Sequence, residues 1–241
     1  MSTSLEVVEQ AQRIYSDAYS VFLEQISNIA ALRKTVVAGI PIAKEATFNS
    51  VKKGLEERKE LNFGHDPALL AKMTSESTTQ KSSMMAEAAY LVFTHSIVDA
   101  LLFELLRVIS LLKPETWETK LKKKLSLEEL KGKSYEELRK SLLDKYLKNE
   151  VEMGSLVFKA ELILNFCSSP IRAEFLENYT FDRGKLEEAN NLRRETVHGV
   201  YLGQLIPAAD QSIEYLEETG LYFTWLLSKS FPKLKHPVGL S

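Results

Sequence analysis

Hydrophobic residues recur every three or four positions through most of the chain, which is the spacing of amphipathic helices. Leu5, Val8 and Ala11 begin one such stripe, which continues to about residue 34, and a second stripe covers about residues 42–61. Glycine and proline are sparse, and alternating runs of β-branched residues are missing. The pattern therefore predicts an all-α protein, an up-down helical bundle preceded by a long N-terminal helical arm.

The arm is predicted to span residues 1–63, as two helices separated by the sequence Gly39-Ile40-Pro41. A polar stretch follows over residues 64–83, with Gly64, Pro67 and a run of serine and threonine. Such a composition is typical of a loop, so this stretch is predicted to be a linker between the arm and the bundle.

The bundle is predicted to span residues 84–230, around a central helix over residues 84–112 that is apolar on nearly all sides. Charged positions such as Asp99 interrupt the apolar stretch, which indicates a buried core helix and no membrane span. Pro114 is expected to stop this helix, and residues 231–241 are predicted to form a frayed tail.

Composition narrows the function classes. The formal net charge of -2 argues against bulk binding to a polyanion, so any contact with nucleic acid would be local. The single cysteine, Cys167, cannot form an internal disulfide, and a secretory signal is missing, so a cytoplasmic location is predicted. The four histidines are scattered, and no Cys-x-x-Cys motif occurs, so neither a metal nor another cofactor is predicted.

Residues 186–199 form the stretch with the densest candidate chemistry. They read as a polar helix in which Arg193, Arg194 and His198 precede Gly199, which occupies the expected C-cap position. A cation in the last turn of a helix is favoured by the helix dipole. Because several charged side chains are costly to hold beside a core, this helix end is predicted to be a functional site.

The arrangement around this helix resembles the HEPN superfamily. The resemblance rests on an acid in the core helix (Asp99), on Arg193-x4-His198 at a helix end, and on a closing amphipathic helix. Glu188-x3-Leu192-Arg193 matches the upstream part of the family motif, with leucine in place of lysine. The resemblance covers roughly residues 84–230 and implies an all-α bundle.

The resemblance also implies a function, because many HEPN proteins are metal-independent ribonucleases of toxin–antitoxin or phage-defence systems. It implies RNA as the substrate, a homodimer whose cleft is lined by two Arg-His pairs, and a protein antitoxin or regulatory partner. Arg193 and His198 are the implied catalytic residues. An imidazole can move the 2′-hydroxyl proton at neutral pH, and a guanidinium can hold phosphate oxygens as charge develops.

The supporting residues leave one geometric question open, because Arg193 and His198 are about 140° apart around an ideal helix. Arg194 shares a face with His198 and with Asn190, so Arg194 could bind the phosphate while Arg193 pairs with Asp99 or Glu188. We therefore predict supporting roles for Glu188, Arg194, Asn190 and Asp99.

A different class of function is also consistent with the sequence. In this interpretation His198 is only a helix cap and Asp99 is a buried hydrogen-bonding residue. His95, one turn before Asp99, would be a core residue or a partner of Asp99. The protein would then be a non-catalytic helical module for binding proteins or RNA.

Overall fold

A computed structural model describes residues 5–57, 66–117, 121, 132, 134–179, 181–197 and 206–237, with the side chains of 206–208 left out. The regular elements in these residues are all helical, which confirms the all-α prediction. They are α1 (Leu5–Glu57), α2 (Pro67–Leu112), α3 (Tyr135–Tyr146), α4 (Leu156–Phe166), α5 (Ser169–Asn178), α6 (Arg183–Val197) and α7 (Ile206–Ser230), with a 3-10 turn at Pro114–Trp117 and a π-turn at Leu147–Val151.

Helices α1 and α2 form a long antiparallel pair, and α1 corrects the prediction of two N-terminal helices. The chain continues as one helix through Pro41, although proline removes a backbone hydrogen bond. Ion pairs hold α1 against α2 on both sides of this position. Arg33 contacts Glu87 before it, at 3.0 Å, and Lys44 contacts Glu76 after it, at 3.2 Å. Packing along α2 thus overrides the local break.

The predicted linker over residues 64–83 is wrong from residue 67 onward, because this polar stretch is the first part of α2. Asp66 caps the helix by accepting a hydrogen bond from the Ala68 amide at 3.0 Å, and Pro67 occupies the first turn. The polar residues form the solvent face of a helix that buries Ala71 and Ser75. Residues 64 and 65 lie outside the described part of the chain.

The first half of α1 belongs to the same hydrophobic core as α2 and α7. Tyr15 is fully buried there, and its hydroxyl donates to the backbone carbonyl of Thr224 in α7 at 2.9 Å. Gly220 allows α7 to approach α1 closely, because a Cβ atom at this position would lie 2.4 Å from Cζ of Phe22. By length and composition alone, α1 is also apolar enough to cross a membrane.

The predicted end of the central helix is confirmed, because α2 ends at Leu112, just before Pro114. Helix α5 begins at Ser169-Pro170. Helix α4 begins at Leu156, after the π-turn, and is capped by the side chain of Ser155. These boundaries set the position of α4 beside α2, where the candidate site lies.

Candidate functional site

A polar cavity of about 590 Å³ lies where α2, α4 and α6 meet. Its charged and hydrogen-bonding lining comes from all three helices, and includes His95, Asp99, Lys159, Asn190 and Arg193. Three of these residues, Asp99, Asn190 and Arg193, were predicted as site residues from the sequence. A cavity of this size with a few converging polar groups is typical of a ligand site.

Helix periodicity explains why these side chains converge. His95 and Asp99 are four residues apart on α2, and Asn190 and Arg193 are three apart on α6, so each pair shares one face of its helix. Helix α6 is fixed at its start by Asp182, whose side chain accepts a hydrogen bond from the amide of Gly184 at 2.8 Å. Aspartate is one of the residues favoured at such a capping position.

The buried end of the cavity contains an ion pair between α2 and α4. The ammonium of Lys159 donates to the Asp99 carboxylate at 2.6 Å. The side chain of Lys159 is only 1% exposed, whereas that of Asp99 is 30% exposed. Asp99 therefore pairs with Lys159, and the predicted alternative in which Asp99 pairs with Arg193 is wrong.

The unequal burial of this pair predicts unequal effects of mutation. We expect Asp99→Ala to lower the free energy of unfolding by about 3 kcal/mol, because it leaves a buried ammonium without a counter-charge. Lys159→Met should lower it by less than about 1 kcal/mol, because the remaining carboxylate stays partly hydrated and the methionine fills the same space. Urea unfolding of both variants and of the double variant measures these values.

The double variant provides the control for this prediction. Because it contains no buried charge, we expect its stability to lie within about 1 kcal/mol of the wild type. The assigned roles of the buried ammonium and the partly exposed carboxylate would be contradicted by two results. One is a loss of stability in the double variant equal to the sum of the two single losses, and the other is a larger loss of stability in Lys159→Met than in Asp99→Ala.

His95 is a buried histidine whose ring makes no well-formed hydrogen bond. It is 4% exposed, and neither ring nitrogen has a partner in good geometry among the described residues, although the Asn190 side chain is close enough to raise the pKa of the ring. Burial lowers the pKa of His95 to about 4, helped by the nearby Arg193 guanidinium and opposed by Asp99. At neutral pH the ring is therefore uncharged, with one nitrogen that donates and one that accepts.

The lowered pKa of His95 predicts a pH-dependent stability. Below its ordinary value of 6.5, the unfolded chain takes up a proton that the folded protein binds only near pH 4, so acid favours unfolding. Above pH 6.5 the ring is neutral in both states and the effect disappears. Between pH 7 and pH 4, we expect the free energy of unfolding to fall by about 3 kcal/mol more in the wild type than in His95→Gln.

Urea unfolding at a series of pH values checks this prediction. Carboxylates also titrate near pH 4, so only the difference between the two proteins is informative. Parallel pH profiles for wild type and His95→Gln would show that His95 is protonated equally in both states.

Arg193 faces the cavity, and Arg194 does not. The Nε atom of Arg193 is buried without a hydrogen-bond partner, and no carboxylate in the described part of the chain forms an ion pair with it. Arg194 is exposed and does not line the cavity. The position of the two guanidinium groups therefore agrees with the family motif and differs from the helical-wheel alternative.

The other predicted residues lie elsewhere. Glu188 is exposed and lines a separate pocket with Lys185 and Glu218, so it contacts neither Arg193 nor the cavity. His198 and Gly199 lie outside the described residues, since the described part of α6 ends at Val197.

Two residues of the cavity were not predicted as functional from the sequence. Lys159 could have been found as a lone cation in a strongly apolar helix, Leu156–Phe166. His95 was noted only as a core residue or a partner of Asp99, and its ring forms no hydrogen bond with that carboxylate. In the described part of the chain no cluster of three histidine, cysteine or acidic side chains could hold a metal ion.

The chain was compared with models of protein families, with characterised proteins and with solved structures, and none of them matches it.

Proposed function

We propose that the chain is a metal-independent endoribonuclease of the HEPN type, the class that includes toxins and phage-defence effectors. One observation carries the proposal: the guanidinium of Arg193, the arginine of the Arg-x4-His motif, lines a polar cavity without a carboxylate partner among the described residues. A cation in this setting is suited to binding an anion such as a phosphodiester.

The buried ion pair contributes to this property of Arg193. Asp99 is one of two acids in the lining, with the exposed Glu152, and it is already bound to Lys159 at 2.6 Å. The carboxylate is therefore less able to neutralise the guanidinium. Arg193 keeps its two-pronged donor face for the non-bridging oxygens of a phosphate.

The proposed reaction is an internal transesterification. His198 removes the proton of a ribose 2′-hydroxyl, and the resulting oxygen attacks the adjacent phosphorus. The bond to the 5′-oxygen breaks, and that oxygen takes a proton from solvent, to which His198 releases the proton that it removed. The products carry a 2′,3′-cyclic phosphate and a 5′-hydroxyl. Arg193 stabilises the charge that develops on the phosphate oxygens. The role of His198 follows from the motif and is part of the proposal.

The proposal includes partners and a location. The active form is a homodimer in the cytoplasm, in which two Arg-His pairs line one cleft, and a protein antitoxin or regulator restrains it. These features follow from the resemblance to the family and from the composition of the chain.

The test is the incubation of single-stranded RNA with the purified protein in EDTA and in Mg²⁺. We expect cleavage at similar rates in both, because every group in the proposed reaction belongs to the protein or to the RNA. Mass spectrometry should find 2′,3′-cyclic phosphate ends on the fragments. Cleavage only in Mg²⁺, or products with 3′-hydroxyl and 5′-phosphate ends, would contradict the proposal.

The alternative is a non-catalytic helical module, and the exposed apolar side chains on the α1–α2 pair favour it. Leu32, Val37 and Ile42 on α1 are each at least half exposed, as are Leu69 and Met73 on α2. Such side chains suit contact with another protein. Absence of cleavage in both EDTA and Mg²⁺, together with stable self-association in analytical ultracentrifugation, would favour this function.

A further inference from the structure

The cavity contains hydrogen-bonding groups that a phosphate alone would not use. Neither ring nitrogen of His95 makes a well-formed hydrogen bond, although the side chain is only 4% exposed. The Asn190 side chain lies close enough to affect the pKa of the ring, but not in good hydrogen-bond geometry. An unpaired buried polar group is unfavourable unless a ligand or water satisfies it. The ring of His95 therefore points to a ligand with polar atoms beyond those of a phosphate.

The chemistry of these groups indicates both donors and acceptors in the ligand. The pKa of His95 is lowered to about 4 by burial and by Arg193, so the neutral ring offers one donor and one acceptor. The amide of Asn190, on the facing helix, offers another donor and acceptor. A phosphate dianion only accepts hydrogen bonds, whereas the edge of a nucleobase alternates donors and acceptors.

The space and the apolar walls fit the same kind of ligand. The volume of about 590 Å³ lies within the range of small-molecule pockets and leaves room for a base with its ribose. Phe103 and Leu156 contribute apolar lining. An aromatic side chain in such a wall can stack on a base, a contact that every base can make.

We propose that this cavity binds one unpaired nucleobase of an RNA strand. The base edge bonds to His95 and Asn190, the base contacts Phe103, and the adjoining phosphate is held by Arg193. The choice of RNA as the polymer rests on the proposed function, whereas recognition of the base rests on the cavity. The nuclease would then cleave beside preferred bases in single-stranded regions, because a paired base presents neither its edge nor its face.

The test measures binding without cleavage. The 3′-monophosphates of the four ribonucleosides and ribose 3-phosphate, which has no base, are titrated into the wild-type protein in a calorimeter. We expect at least one nucleotide to bind about tenfold more tightly than ribose 3-phosphate, the factor provided by one good pair of hydrogen bonds to a base edge. Asn190→Ala should reduce this preference to within about twofold.

The neighbouring residue provides a matched control. Asn191 lies on the same helix, is exposed, and does not line this cavity, so Asn191→Ala should keep the tenfold preference. A second variant, Phe103→Leu, removes the aromatic contact. This variant should bind nucleotides several-fold more weakly than the wild type, and its affinity for ribose 3-phosphate should be unchanged.

The outcomes separate this inference from the proposed function. Equal affinity for nucleotides and ribose 3-phosphate, no binding of any nucleotide, or an unchanged preference in Asn190→Ala would each overturn the base pocket, even if RNA is cleaved. A base preference that depends on Asn190, in a protein that does not cleave RNA, would support the pocket and contradict only the nuclease.

Discussion

Arg193→Ala is expected to lower the rate of RNA cleavage by about 10²–10³-fold, the usual effect of removing one donor that stabilises developing charge. Arg194→Ala is expected to keep the wild-type rate. The two residues are adjacent and carry the same charge, but only Arg193 lines the cavity. The comparison therefore separates a positioned guanidinium from a general contribution of positive charge.

The measurement is the initial rate of cleavage of a short single-stranded RNA in EDTA. Arg193 forms no ion pair within the described residues, so its removal should change the thermal unfolding temperature little, and unfolding curves check this. Arg193→Lys should give an intermediate rate, because lysine keeps the charge and loses the planar fork. Equal losses in Arg193→Ala and Arg194→Ala would contradict the assignment of Arg193.

The fold class could be predicted because hydrophobic periodicity is a local property, whereas the failed boundaries depend on tertiary packing. Residues 67–83 looked like a linker because serine and threonine are frequent in loops. In the structure they form the start of α2, which buries Ala71 and Ser75 and packs along α1. The same packing carries α1 through Pro41, where the sequence predicted a break.

The site could be predicted only in part, for a similar reason. The motif identified Arg193, and the position of an acid in the middle of the apolar core helix identified Asp99. Which arginine faces inward depends on how α6 is rotated against α2 and α4, and a helical wheel drawn for one helix does not contain that information. Lys159 was missed because a single lysine in a helix is usually solvated, and its burial follows only from its pairing with Asp99.

The pairing of Lys159 with Asp99 also explains how one cavity can hold both polar and charged groups. Two opposite charges, Lys159 and Asp99, compensate each other at the buried end. The rest of the polar lining includes the guanidinium of Arg193, the exposed carboxylate of Glu152 and two neutral side chains, His95 and Asn190, for hydrogen bonds. The charge of Arg193 helps to keep His95 neutral by lowering its pKa. The stability, the proposed catalysis and the proposed base recognition thus depend on the same few contacts.

His198→Ala is expected to lower the cleavage rate by about 10²–10⁴-fold, because the reaction then lacks the group that moves the 2′-hydroxyl proton. His236→Ala is the control, since this histidine lies beside Tyr15 and Tyr19, away from the cavity lining. Binding of the four nucleotides should not change in His198→Ala, because their recognition is assigned to other residues.

The most direct measurement of the central claim is the initial rate of RNA cleavage in EDTA by the wild type and by His198→Ala, with the product ends identified in the same samples. We expect metal-independent cleavage that yields 2′,3′-cyclic phosphate ends in the wild type and is almost lost in the variant. Equal rates in the two proteins would contradict it.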